Sequence, residues 1–340
     1  MAPIQVRYDQ GIHLPELDLW LDPPRGKDRA FISHAHSDHF ARHQWTLCSE
    51  ITAALIENRY GKRRVGTTAA QPLRETLVTE GHAFTLLPAG HIFGSAMLHI
   101  RRLSDGATLL YTGDFKLRDS LTTEPAELRQ ADTLILETTF GLPLYRFPPR
   151  TEVVEHMGRF VQESFDADTV PVLLGYSLGK AQELMAMVAG FGHPIMVHDS
   201  IAKFSDVFRY HGMALPEHLV LDASKAAGHI VIAPPNAVRS LGSLHKCRTA
   251  MATGWALMKG AKYRFRVDEL FPISDHADHP ELLQCVASTA AKHIYTVHGF
   301  TTEFARELRR LGHDAWSLIK EEQRELLLND TPGPPASLFR

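Results

Sequence analysis

The stretch Ser33-His34-Ala35-His36-Ser37-Asp38-His39 constrains the fold of this chain more than any other. Three imidazoles and a carboxylate occupy six consecutive positions in the pattern H-x-H-x-D-H. Buried polar groups need partners, and neighbouring imidazoles on one loop solvate poorly unless a positive charge holds them together. Neutral imidazole and carboxylate both suit a divalent metal, zinc first among them. The run follows Arg29-Ala30-Phe31-Ile32-Ser33, whose aromatic and β-branched residues read as a buried strand. A strand that ends directly at His34 puts the ligands on the rim of a sheet, where rigid scaffold holds a functional loop.

Four more places repeat the design. Leu86-Leu87-Pro88-Ala89-Gly90 delivers His91, and the strand Thr108 to Thr112 is followed by Gly113-Asp114. Thr133-Leu134-Ile135-Leu136 delivers Glu137, and His293-Ile294-Tyr295-Thr296-Val297 delivers His298, with Gly299 letting the backbone turn away. Each time a metal-capable side chain follows an apolar run, which argues for one shared site.

The ordered set His34, His36, Asp38, His39, His91, Asp114 and His298 resembles the two-metal centre of the metallo-β-lactamase fold. Glu137-Thr138-Thr139-Phe140-Gly141, Ser274-Asp275-His276 and Val297-His298-Gly299 resemble the three added motifs of its β-CASP branch. That branch comprises nucleic-acid nucleases, among them the cleavage-and-polyadenylation endonuclease, ribonuclease J and the DNA cross-link repair nucleases. The resemblance runs from about Asp22 to His298. Gly175-Tyr176-Ser177-Leu178-Gly179-Lys180 and Thr253-Gly254-Trp255 most resemble bacterial exonucleases associated with ATP-dependent DNA ligases. The implied architecture is α/β: a metallo-β-lactamase αββα sandwich with an inserted β-CASP α/β domain.

Texture along the chain agrees. Residues 1 to about 140 read as short strands and turns, with a helical piece at Ser49 to Tyr60. The prolines of Gly141 to Pro149 favour an extended crossover. Strand and helix then alternate: Val170 to Leu174, Lys180 to Ala189, Pro194 to Val197, Ile201 to Tyr210, His229 to Ala233. That rhythm predicts a parallel sheet of its own. The expected divisions are residues 1–141 and 256–330 for the sandwich, 142–255 for the insert, and a loose tail from residue 331.

Composition sets bounds. The 340 residues are 44% apolar and 22% charged, ordinary for a soluble globular protein. The N-terminus lacks the apolar core of a signal peptide, and no run approaches a membrane span. Cys48, Cys247 and Cys285 are isolated and read as reduced thiols in a cytoplasmic protein. Net charge is −3, yet phosphate binding needs local rather than average positive potential. Basic residues cluster at Arg59, Lys62, Arg63 and Arg64, at Arg146 and Arg150, and at Lys259, Lys262, Arg264 and Arg266. A solvated surface explains such clusters equally well, the last being the best candidate for an exception.

In an H-x-H-x-D-H loop, alternate side chains can point to one side, so His34 and His36 can share a metal while Asp38 and His39 turn toward a second. The resemblance implies that His91 completes the first site, His298 contributes to the second and Asp114 bridges them. It gives Asp22 the task of accepting a ring N–H from a liganding histidine, with Asp18 as the fallback. Glu137 would hold His276 protonated, ready to give a proton to the departing oxygen. Asp38, Asp114, Glu137 and His276 are thus the expected catalytic set. His279, His245 and His198 match no motif and read as structural or surface groups.

Gly175 to Ala181 follows a strand and opens a helix, but its glycines are separated by three residues and Lys180 precedes Ala181, so it is no Walker A loop. Lys180 with the helix N-terminus, and Ser274, are candidate contacts for a substrate phosphate. Two cations held side by side suit in-line phosphodiester displacement, with zinc expected and manganese an alternative. The expected function is a DNA exonuclease in repair, with a DNA ligase or helicase as partner by resemblance alone. An RNA-processing nuclease of the same fold is the alternative, and a small-molecule metallohydrolase or an inactive binding module the further ones.

Overall fold

A computed structural model describes residues 2–62, 66–237 and 246–318. Arg63, Arg64, His245 and the expected tail from residue 331 lie outside the described residues.

Two sheets are stacked face to face. The first has six strands in chain order: Arg7–Tyr8, Ile12–Leu14, Leu19–Leu21, Arg29–Phe31, Trp45–Ser49 and Thr67–Gln71. The second has seven, in the order Ala315–Ser317, His293–Gly299, Thr133–Thr138, Thr108–Tyr111, Ala96–Arg102, His82–Pro88 and Thr76–Thr79. Alternate residues of each strand face the partner sheet. Leu14, Leu19, Leu21, Phe31 and Leu47 therefore meet Phe84, Leu86, Leu98, Ile100, Leu109, Tyr111 and Ile135 in one buried cluster. Each such large side chain contributes about 1.5–3 kcal/mol by leaving water.

Helices cover both outer faces. Glu50–Tyr60 starts where Ser49 Oγ accepts from Thr52 N at 3.0 Å. His279–Thr289 starts on a capping box, with Asp278 Oδ1 accepting from Glu281 N at 3.1 Å and Glu281 Oε2 from Asp278 N at 2.9 Å. Its Leu282, Cys285 and Val286 pack with Phe304 and Leu308 of helix Thr301–Arg310 under the second sheet. The result is the expected αββα sandwich.

A third sheet has six strands in the order Leu219–Val220, Ile195–Val197, Ile230–Ala233, Val170–Leu174, Cys247–Ala252 and Glu269–Phe271, every pair parallel. Parallel strands need crossover helices. Lys180–Val188 and Asp199–Tyr210 fill that role, and with Arg150–Asp166, which leads into the first of these strands in the chain, they bury Val153, Met157, Leu184 and Ile201 against the sheet. Glu269–Phe271 carries this sheet past the boundary expected near Trp255, because its pairing with Ala250–Ala252 keeps the chain in the third sheet after the Thr253-Gly254-Trp255 turn. The crossing out of the sandwich packs Phe140 and Tyr145 against Trp255, which lies between the last two strands of the third sheet, with the Phe140 and Trp255 rings 4.7 Å apart. On the far side Phe204 and Phe208 of the third-sheet unit pack among Leu55, Ile56, Ile92 and Phe93 of the sandwich.

Candidate metal centre

Three loops at one end of the sandwich, together with the strand end at His298, bring donor atoms to one point. His34, His36 and His91 form a trio: His36 Nδ1 lies 3.1 Å from His34 Nε2 and 3.1 Å from His91 Nε2. Asp114 Oδ2 is central to the whole site, 3.6 Å from His34 Nε2, 3.8 Å from His91 Nε2, 3.2 Å from His39 Nε2 and 3.9 Å from His276 Nδ1. His298 stands on the other side, its ring 5.4 Å from that of His39. Its Nε2 is buried with no hydrogen-bond partner among the described residues. Asp38 sits at the rim, its side chain 61% exposed and 4.0 Å from His39 Nε2.

Every inward-facing imidazole of the loops is fixed by its other nitrogen. Ser33 Oγ holds His34 Nδ1 at 2.9 Å, the Leu178 carbonyl accepts from His36 Nε2 at 3.1 Å and the Asp275 carbonyl accepts from His91 Nδ1 at 2.9 Å. Asp22 Oδ2 holds His39 Nδ1 at 3.1 Å. Such outer partners set the tautomer so that the free lone pair faces the metal. Asp22 also accepts from Ser33 N, Ser33 Oγ and Tyr111 OH at 2.7, 2.5 and 2.8 Å. The fallback Asp18 lies elsewhere, exposed and 3.5 Å from His13.

Electrostatics fit a cation. Burial holds His34 well below the usual imidazole range and His36 below it, and takes His91 to about 3, aided there by the neighbouring His276. Burial lowers His298 as well. These rings are neutral, the form that ligates metal. Burial opposes charge on His39, but Asp114 and Asp22 outweigh it and raise the imidazole well above 6.5. Asp114 is likewise held ionised against burial by His39 and His276. A buried carboxylate among four imidazoles, one orphaned buried nitrogen and a trio of converging neutral donors make a donor set that fits divalent metal, His34, His36 and His91 on one side of Asp114 and His39 and His298 on the other.

Beside this set, Glu137 is fully buried and its Oε1 lies 3.0 Å from His276 Nδ1. Burial would lower His276, but Glu137 and then Asp114 raise it to about 9. Glu137 also accepts from Phe115 N and Thr139 N, each at 3.1 Å, so its carboxylate is rigidly placed. Two residues of the site have left-handed backbone, His298 with φ +56 and Asp22 with φ +42, a region that Asp and His enter more readily than most side chains. After His298 the chain passes so close to Thr139 that a Cβ on Gly299 would lie 2.4 Å from the Thr139 Cα.

The Lys180 ammonium is buried, donating to Asp275 Oδ1 at 2.9 Å and to the Ile273 carbonyl at 3.2 Å. The Ser274 hydroxyl is also committed, accepting from His276 N at 2.9 Å and donating to the His276 carbonyl at 3.0 Å. It shapes the turn that carries His276. Of the basic clusters, Arg59 donates to the Ala35 carbonyl at 3.2 Å beneath the histidine loop, and Arg150 to the Asp119 carbonyl at 3.1 Å. Lys259, Lys262, Arg264 and Arg266 are exposed. Sequence reasoning gave no role to Ser33, Tyr111, Leu178 or Asp275. Ser33, Leu178 and Asp275 stand in quoted motifs and Tyr111 in a quoted strand, but their parts were hidden because they act through a hydroxyl or carbonyl that any strand or turn displays.

No family model matches the chain. It is 42% identical over 332 residues to a probable DNA ligase of Opitutus terrae, an alignment covering 97% of this chain and 32% of that protein. It is 30% identical over 288 residues to the 5' exonuclease Apollo of Gallus gallus, covering 79% and 58%. It is 26% identical over 222 residues to an RNase J-like protein of Methanocaldococcus jannaschii, covering 56% and 52%. A crystal structure of a protein of unknown function from Enterococcus faecalis V583 shares the fold, with a TM-score of 0.58 over 81% of this chain and 76% of that one at 12% identity. The chain spans between about a third and three fifths of the length of these curated relatives. With this sandwich, parallel-sheet insert and relatives, the chain belongs to the β-CASP branch of the metallo-β-lactamase fold.

Proposed function

We propose that the chain is a two-metal phosphodiester hydrolase, a DNA exonuclease acting in repair. The observation that carries this reading is the placement of Asp114 Oδ2 within 3.2–3.9 Å of four imidazoles, one of them the His276 that Glu137 grips. Bound metals at His34, His36, His91 and at Asp38, His39, His298, sharing Asp114, would activate water and offset charge on a phosphate. Zinc suits the imidazole-rich set best, with manganese as the alternative for turnover.

The chain's own residues supply the rest. Glu137 accepts the Nδ1 proton of His276 and favours the imidazolium. Nε2 of His276 then holds the second proton, available to the sugar oxygen as it departs. Burial of Glu137 and Asp114 keeps these carboxylates from water and strengthens both interactions. A compact substrate such as a lactam needs neither the Glu137–His276 pair nor a second α/β unit beside the metals, which disfavours a small-molecule hydrolase.

DNA is favoured by the cross-link repair and exonuclease relatives, and a working association with a DNA ligase by the 42% identical segment within a protein of that name. The three free cysteines support a cytoplasmic setting. Among the described residues, no helix is long and apolar enough to cross a membrane. RNA is the second reading, favoured by the RNase J-like relative. Digestion of end-labelled DNA and RNA, with either terminus blocked, tests both. Stepwise shortening of DNA supports the proposal; turnover of RNA alone replaces it with the second reading, and cleavage of neither refutes both.

A further inference from the structure

We propose that the turn between strand Val170–Leu174 and helix Lys180–Val188 of the β-CASP unit is a working part of the first metal site. Lys180 is its positioning residue, acting on His91 through Asp275. The inference rests on the reading of His34, His36 and His91 as metal ligands.

Both rings that this turn reaches belong to the sandwich. The Leu178 carbonyl accepts from Nε2 of His36 at 3.1 Å, leaving Nδ1 to face the centre. Two residues on, Lys180 donates from a buried ammonium to Asp275 Oδ1 and the Ile273 carbonyl. The main chain of Asp275 in turn accepts from His91 Nδ1 at 2.9 Å. Lys180 thus clamps, at side chain and backbone, the segment that orients His91. Gly179 between them has φ +89, and a Cβ there would lie 2.3 Å from Ile92 Cγ2, so the turn lies against the side chain of the residue that follows His91.

The next helical turn locks the docking. Glu183 accepts from Ser120 Oγ, from Thr122 Oγ1 at 3.0 Å and from Leu121 N at 3.3 Å, all on the sandwich. A buried cation and a buried anion on one short helix are each matched across the boundary. Displacing the helix would strand both charges and free two ligand rings together. Partners that orient metal-bound histidines commonly change metal affinity 10–100-fold when removed.

The test is zinc titration against a chromophoric chelator, in full-length protein carrying His298→Ala so that the first site is read alone. Lys180→Met is expected to weaken zinc binding about 10–100-fold, with Lys180→Arg restoring most of it. Asp275→Asn, which keeps the carbonyl and the shape while removing the charge partner, is expected to shift affinity in the same direction and serves if Lys180→Met does not fold. Thermal melting of the chelated proteins separates a purely structural role. Unchanged zinc affinity in Lys180→Met or Asp275→Asn, with only a lower melting temperature, would overturn the inference. Wild-type protein that takes up no zinc would overturn the metal reading and this inference with it.

Discussion

Glu137 Oε1 and His276 Nδ1 lie 3.0 Å apart across 139 residues of sequence, joining the end of a sandwich strand to the turn that follows the third sheet. The carboxylate is wholly buried, while the imidazole retains an edge toward solvent. One group is thus fixed and the other is presented.

His276→Ala is expected to lower the single-turnover cleavage rate about 10²–10⁴-fold, the usual worth of a positioned proton donor. Metal content measured on the same preparation should remain at the wild-type level. Loss of metal in parallel would reassign His276 as a ligand.

Asp22→Ala removes the acceptor of Ser33 N, Ser33 Oγ, Tyr111 OH and His39 Nδ1 at once. Stability should fall by about 2–4 kcal/mol from the stranded buried donors. Metal affinity at the site of His39 should weaken about 10–100-fold. Chemical denaturation and metal titration check the two effects separately.

His99 gives a pH dependence remote from the centre. Burial, assisted by Arg129 and Arg101, takes its folded pKa to about 4, while its Nε2 lies 3.3 Å from the Gln130 carbonyl. A base depressed on folding binds more protons when unfolded, so stability is full above 6.5 and is lost as pH falls toward 4. That loss amounts to at most about 3 kcal/mol. Denaturation midpoints of wild type and His99→Gln at pH 7 and pH 4.5 should converge at the lower pH; an unchanged difference contradicts the assignment.

Lys259 and Arg266 are exposed on the link between third-sheet strands Cys247–Ala252 and Glu269–Phe271, the second of which leads to the Ser274-Asp275-His276 turn. Replacing both by Glu should raise KM for long DNA and reduce the salt slope of binding by about one for each phosphate no longer neutralised. Dinucleotide turnover should be unaffected. Unchanged salt dependence would return this cluster to a merely solvated surface.

The centre was legible in the sequence to the extent that local chain order builds it. A strand ending at a ligand is a short-range pattern, and His34, His91, Asp114, Glu137 and His298 all sit at such ends. The βαβ rhythm likewise announced the third sheet. Helix Arg150–Asp166 went unread although Val153, Met157, Phe160 and Val161 mark a buried helical face. Its amphipathic spacing was the available signal. The tie of Lys180 to Asp275 is not legible in sequence, because a lysine at a helix start looks solvent-facing until its partner is known, and Asp275 lies 95 residues away. The bonds of Ser274 to the His276 backbone are hidden for a different reason: a hydroxyl two residues before a histidine can serve the turn as readily as a ligand, and only backbone geometry shows that it does. The place of Glu269–Phe271 in the third sheet depends on strand pairing, which no local pattern encodes.

The most direct measurement is anomalous diffraction at the zinc edge from crystals of protein purified without chelators. The account predicts two peaks flanking Asp114, about 4 Å apart as in paired-metal hydrolases. One should contact His34, His36 and His91, the other His39 and His298. A single peak away from Asp114, or none in zinc-supplemented crystals, would contradict it.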